Sequence, residues 1–142
     1  MYYHFKIHHN SDGFWAECIE LSGCLTQANS MKELLVNIRE ALNLYLDEPA
    51  ESAAVFSLPK KNIKETKNIV KVKVAPKIAF AFYLRMLRLK HNLTQKEIAQ
   101  KLGFKNLYSY QRLESSKKAN PELITLGKIK EILPDFDLNL LV

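Results

Sequence analysis

The chain has 142 residues, 47% apolar and 25% charged, with a formal net charge of +6. That composition fits one globular domain or two small ones and excludes disorder as the whole story. No run approaches the roughly 18 consecutive apolar residues of a membrane span, and Met1-Tyr2-Tyr3-His4-Phe5-Lys6 lacks the charged-then-apolar plan of a signal peptide, so a cytoplasmic location is expected.

Charge is unevenly placed. Residues 1–48 hold three basic against seven acidic side chains, a net of −4; residues 49–75 hold six lysines against two glutamates, +4; residues 76–142 hold twelve basic against six acidic, +6. This asymmetry predicts that the C-terminal part meets a polyanion and that the N-terminal part meets something else, such as a basic partner. Solvated charge serving solubility is the plainer alternative. Cys18 and Cys24 have no companions at zinc-site spacing and read as small buried apolar residues.

Residues 3–7 alternate, Tyr3, Phe5 and Ile7 against His4 and Lys6, which predicts a strand with one face on a core. Asn10-Ser11-Asp12-Gly13 predicts a tight hairpin, with Asp-Gly at the positive-φ positions and Phe14–Cys18 returning antiparallel. After Leu21-Ser22-Gly23, Cys24–Gln27 makes the third strand of a meander. The period then becomes helical: Met31, Leu34, Leu35, Ile38, Ala41, Leu42 and Tyr45 form a stripe, Ser30-x-x-Glu33 is a capping box, and Glu48-Pro49 stops the helix. Residues 49–68 read as an exposed, functional or mobile connection, and Ile69–Val74 as a fourth strand rejoining the sheet. The domain boundary is expected near residue 75, giving 1–75 and 76–142.

From Pro76 onward four helices are predicted. The first carries Phe80, Leu84 and Leu87 and ends before Asn92; the second opens at the capping box Thr94-x-x-Glu97, buries Ile98, Ala99 and Leu102, and stops at Gly103. A third stripe starts at Tyr110 and Leu113. The last helix starts at Asn120-Pro121 and buries Leu123, Leu126, Ile129 and Leu133. A helix, a short turn and a second helix is the helix-turn-helix arrangement, which sets one helix across the phosphate backbone and the next in the major groove. With Tyr110 and Leu113 inward, Asn106, Tyr108, Ser109, Gln111 and Arg112 fall on or beside the outer face, where amides and guanidiniums read base edges. Thr94, Gln95, Lys105, Lys117 and Lys118 are placed to hold phosphates. A plain helical bundle with a solvated basic face is the competing reading.

Residues 84–134, with Leu93-Thr94-Gln95-Lys96-Glu97-Ile98-Ala99, Lys101-Leu102-Gly103 and Arg112-Leu113-Glu114, resemble the lambda-repressor-type helix-turn-helix domains. Residues 12–46, with Asp12-Gly13-Phe14-Trp15-Ala16-Glu17, Leu21-Ser22-Gly23-Cys24-Leu25-Thr26-Gln27 and the capped helix, resemble the HicB antitoxin family. Ile19-Glu20-Leu21-Ser22-Gly23 stands where that family usually has Pro-Asp-Leu-Pro-Gly. The resemblance implies an α+β chain: an N-terminal β-β-β-α-β unit with a partial ribonuclease-H-like fold that occludes a small messenger-RNA-cleaving toxin, HicA, and a C-terminal all-α domain that represses the operon encoding both.

A ribonuclease-like fold raises the question of catalysis, which needs carboxylates converging on metal ions. Strand alternation sets Glu17 beside Trp15 but Glu20 on the opposite face, and Asp12 belongs to a turn, so the chain is read as non-enzymatic, with no cofactor. His4 and His8 share a strand face without a third ligand, and His4, His8 and His9 read as surface residues rather than a metal site. Trp15, with Phe14 and Tyr3, would suit stacking on single-stranded RNA, but the acidic balance of residues 1–48 opposes this, and Trp15 is read as core. The exposed acids Glu17, Glu20 and Glu33, with residues 49–68, are the expected toxin contacts. Repressor heads usually act as dimers, and the apolar tail 136–142 either pairs with its copy or packs on its own bundle. The reading from a different class is a stand-alone transcriptional repressor with an N-terminal ligand-sensing or protein-interaction domain.

Overall fold

The structure, a computed structural model, describes residues 1–49 and 52–142; Ala50 and Glu51, within the predicted connection, lie outside the described residues. The chain divides into two compact units. The first comprises Met1–Leu46 and Phe56–Ala75, the second Asp47–Val55 and Pro76–Val142. The segment Asp47–Val55 thus groups with the second unit, not, as the sequence suggests, with the first.

In the first unit β1 (Tyr2–Asn10), β2 (Gly13–Cys18), β3 (Leu25–Ala28) and β4 (Ile69–Lys73) form one antiparallel sheet in the order β3-β2-β1-β4, and α1 (Met31–Leu46) joins β3 to the connection. Alternation decides the faces. Tyr3, Phe5 and Ile7 pair across to Cys18 and Ala16 and to Val70 and Val72, and this face is buried under α1. The β1–β2 loop is Ser11-Asp12, not the predicted Asp12-Gly13. Asn10 faces Gly13, the Asn10 Oδ1 accepts the Asp12 N–H at 3.0 Å, and only Gly13 takes a positive φ, +130°. A Cβ at Gly13 would lie 2.7 Å from the Ala28 carbonyl oxygen, so close approach of β3 also demands glycine.

Helix α1 is capped as its sequence predicts, the Ser30 Oγ accepting the Glu33 N–H at 3.2 Å, while the Glu33 carboxylate reaches back to the Asn29 N–H. Its buried line is narrower than the predicted stripe. Leu34, Ile38, Leu42 and Leu46 are buried, whereas Met31 and Leu35 stay exposed with Val36 and Leu44, because one ridge of the helix covers so small a sheet.

The connection after α1 is pinned rather than loose. The Tyr3 hydroxyl donates to the Ser57 carbonyl at 2.8 Å, the Lys60 N–H donates to Glu20 Oε1 at 3.3 Å, and the Ile7 N–H donates to the Asn68 carbonyl at 2.7 Å. Glu20 therefore corrects the expectation of an exposed acid. It is buried, with Oε2 accepting the His4 N–H at 3.0 Å and Oε1 lying 2.6 Å from His4 Nδ1. His4 is likewise buried rather than a surface histidine, because Glu20 supplies the polar partner that burial requires. Cys18 and Cys24 are free and buried, and burial pushes the Cys18 thiol up to about 12 and that of Cys24 up to about 11, which keeps both unreactive.

The second unit is helical: α2 (Pro76–Lys90), α3 (Gln95–Lys101), α4 (Leu107–Gln111) and α5 (Leu123–Ile132), then a 3-10 turn at Leu138–Leu140. Asn92, at φ +54°, reverses the chain after α2. Phe80, Leu84, Leu87, Ile98, Leu102, Tyr110, Leu113, Ile129 and Leu133 make the core. The prediction that the last helix starts at Asn120-Pro121 and buries Leu123 fails: α5 begins at Leu123, Glu122 at its N-cap position makes no side-chain capping bond, Leu123 is 82% exposed and Ile124 71%, and Leu126 is only half-buried. The core is closed instead by Phe136, whose ring stacks on Tyr83 at 5.5 Å and meets Phe80 edge-on at 6.4 Å. The tail is thus anchored on its own bundle at Phe136, while Leu138 and Val142 remain exposed.

Candidate nucleic-acid interface

Helix α3 opens on Thr94, whose hydroxyl accepts the Glu97 N–H at 3.1 Å while Glu97 Oε2 accepts the Thr94 N–H at 2.9 Å. It ends where Gly103, at φ +78°, turns the chain. Asn106 then caps α4, its Oδ1 accepting both the Ser109 N–H at 2.8 Å and the Ser109 hydroxyl at 2.9 Å. Asn106 and Ser109, predicted as base readers, are therefore tied to each other, and Asn106 retains only its amide NH2 as a free donor type.

Beneath α4 lies a buried polar network. Glu114, fully buried, accepts Arg88 Nε at 2.6 Å and Nη2 at 3.1 Å, the Gln95 amide at 3.0 Å, and the Tyr110 hydroxyl. Arg88 Nη1 also donates to the Leu93 carbonyl at 3.0 Å, which fixes the turn before α3. The Gln111 amide donates to Gln95 Oε1 at 3.1 Å. A continuous chain of bonds thus runs Arg88, Glu114, Gln95, Gln111 from the core to the outer helix, and it sets α4 against α3. Burial and the Glu114 carboxylate together push the Tyr110 hydroxyl far above its ordinary range, so it donates and stays neutral.

The predicted site residues divide in three groups. Tyr108 on α4 and Arg112 at its C-terminal cap are exposed, and Gln111 is half-buried and oriented by Gln95. Thr94, Lys105, Lys117 and Lys118 are exposed, whereas Gln95 is half-buried in the network. Lys118 is drawn to Tyr108, its Nζ donating to the hydroxyl at 3.0 Å and lying 5.3 Å from the ring centre, which lowers the phenol's proton affinity. The Arg88–Glu114 pair went unpredicted. Its signal was available, since Arg88 lies one residue after Leu87 on the apolar side of α2 and Glu114 follows the inward Leu113.

On the first unit, Glu33 is exposed and Glu17 half-exposed, with Glu17 Oε1 3.1 Å from His8 Nε2. Trp15, expected in the core, lies instead half-exposed on the sheet face away from α1, its ring stacked on His8 at 3.9 Å. Among the described residues no three His, Cys, Asp or Glu side chains gather as a metal-ion cluster.

This geometry defines a helix-turn-helix domain. A helix-turn-helix family model, of the lambda-repressor-like type, matches residues 84–138, so the C-terminal region is a domain of the kind carried by DNA-binding transcription regulators. No curated protein matches the chain. No helix among the described residues is long and apolar enough to cross a membrane.

Proposed function

We propose that this chain is an autorepressing antitoxin: its C-terminal unit binds operator DNA through α3 and α4, and its N-terminal unit binds and neutralises a small messenger-RNA-cleaving toxin of the HicA type. The observation that carries the DNA half is the exposed Tyr108 on α4 and Arg112 at its C-terminal cap, backed by the Arg88–Glu114–Gln95–Gln111 chain of bonds. Arg112, Gln111 and Tyr108 read base edges in the major groove, with Asn106 and Ser109 beside them. Thr94, Gln95, Lys105, Lys117 and Lys118 hold the flanking phosphates. Two copies bind together, and support for this lies in Leu123, Ile124, Leu138 and Val142, which a second copy would cover.

The toxin half rests on the HicB resemblance of residues 12–46, which implies a partial ribonuclease-H-like fold for the β-β-β-α-β unit running from β1 to β4. It is supported by Met31, Leu35, Val36 and Leu44, apolar residues left in water along α1 beside the exposed Glu33. Glu17 and Glu33 are the contacts with a basic partner; Glu20, buried against His4, is not one. The chain ended after Ala75 is expected to retain toxin neutralisation and lose duplex DNA binding. Persistence of DNA shifts by that fragment would overturn the division of labour. The alternative, a repressor with an N-terminal ligand-sensing domain, predicts that no basic neighbour-encoded protein co-purifies with the full chain.

A further inference from the structure

The premise that set RNA aside, an acidic N-terminal part, does not survive folding. The first unit includes Lys60, Lys61, Lys64 and Lys67 of the connection and Lys71 and Lys73 of β4, so it holds nine basic against six acidic residues, a net of +3. The second unit, which takes Asp47, Glu48 and Glu51, also nets +3, from twelve basic against nine acidic.

The placement of these charges matters more than their sum. Strand register puts Tyr2, His4, Lys6 and His8 of β1, Trp15 and Glu17 of β2, Leu25 and Gln27 of β3, and Ile69, Lys71 and Lys73 of β4 on the face turned away from α1, with His4 buried among them. Lys71 Nζ lies 4.5 Å and Lys73 Nζ 5.8 Å from the Tyr2 ring centre. Lys60 is held nearby by its bond to Glu20, the partner of His4, and His4 is the cross-strand neighbour of Lys71. One side of the Trp15 indole is stacked on His8, whose own outer nitrogen is engaged by Glu17, and the Glu20 carboxylate is engaged by His4, so both of these acids are already paired. Trp15 with Leu25 and Gln27 also lines a cleft of about 920 Å3 at the β3 edge of the sheet, whose lining includes Asp12 and Glu33.

From this arrangement we infer that the sheet face of the first unit turned away from α1 binds single-stranded RNA, with a base in the cleft against Trp15 and Leu25 and the phosphates along the exposed Lys6, Lys71 and Lys73. An aromatic platform beside a row of cations is the pattern that takes unpaired bases, because any base offers a π-face and the backbone offers charge. The acids lining the cleft confine phosphate to the β1–β4 half. The Gln27 amide and the Tyr2 hydroxyl supply donors and acceptors for ribose 2′-hydroxyls.

Trp15 is the chain's single tryptophan, so its emission reports directly on this face. The full-length protein is titrated with a twelve-nucleotide oligouridylate in low salt. The expected result is saturable quenching of Trp15 fluorescence whose affinity falls as salt rises. Lys71→Ala with Lys73→Ala should weaken binding about tenfold, and Trp15→Phe should weaken it less than Trp15→Ala when RNA retention is followed by filter binding. Circular dichroism checks that each variant is folded. Arg112→Ala, on the other unit, should leave RNA affinity unchanged. Absence of quenching, or loss with Arg112→Ala but not with the lysine variants, would overturn the inference. Equal or tighter binding of oligodeoxythymidylate would overturn it in favour of single-stranded DNA, and quenching by poly-L-lysine but not by RNA would assign the face to a basic protein.

Discussion

The side-chain amide of Gln111 donates to Gln95 Oε1 at 3.1 Å, and the Gln95 amide in turn donates to the buried Glu114 at 3.0 Å. A residue at the end of the outer helix is therefore held in orientation by one at the start of the preceding helix. Positioning through a shared bond makes the two residues energetically dependent. Gln95→Ala and Gln111→Ala should each weaken duplex DNA binding, and the double variant should lose less than the sum, with a coupling of about 0.5–3 kcal/mol in a double-mutant cycle. Additive losses would mean that the two act separately.

Glu114 is the hub of the C-terminal core, and removing its charge leaves Arg88 buried without its counter-ion. Glu114→Gln should cost about 3–5 kcal/mol in urea unfolding, whereas Tyr110→Phe, which removes one donor, should cost about 1–2 kcal/mol. Arg85 provides the contrast. It is 1% exposed, and among the described residues its Nε and Nη2 have no hydrogen-bond partner. Arg85→Met should therefore leave stability unchanged or raise it, and a loss above about 1 kcal/mol would show that attraction to Glu48 and Glu114 outweighs desolvation.

Asp135 ties the end of α2 to the tail, accepting Lys90 Nζ at 2.8 Å and lying 2.8 Å from His91 Nε2. The Lys90 ammonium, with help from His91, lowers its carboxyl from 3.8 to about 2. The folded value is depressed, so the stabilisation is fully present above the ordinary carboxyl range and disappears as pH falls from about 4 through 2. Solvent exposure of the pair keeps the effect small. Asp135→Asn should lower stability at pH 6 by less than about 1 kcal/mol, with the difference shrinking as pH falls from about 4 and vanishing below about 2.

The elements were legible because their signals are local: the Thr94 capping box, the Gly103 stop and the alternation of Tyr3, Phe5 and Ile7 need no long-range information. What the sequence hid depends on where distant segments land. Glu20 looked like a surface acid until His4 and Lys60 closed on it, and Leu123 looked like core until Phe136 took the place beside Tyr83. The charge asymmetry misled for the same reason. Residues 60–73 follow the acidic segment in sequence, yet they fold into the same unit, and β4 pairs with β1 to place Lys71 and Lys73 on its sheet.

The most direct test is selection of sites from a random duplex library by the full-length protein, repeated with Arg112→Ala and Lys105→Ala. The account predicts an enriched two-fold-symmetric sequence with half-sites about 34 Å apart. Arg112→Ala should relax preference at one base pair per half-site at a cost of about 1–3 kcal/mol, and Lys105→Ala should weaken all sequences alike. No enriched sequence, or a uniform loss on removing the Arg112 guanidinium, would contradict a base-reading role for α4.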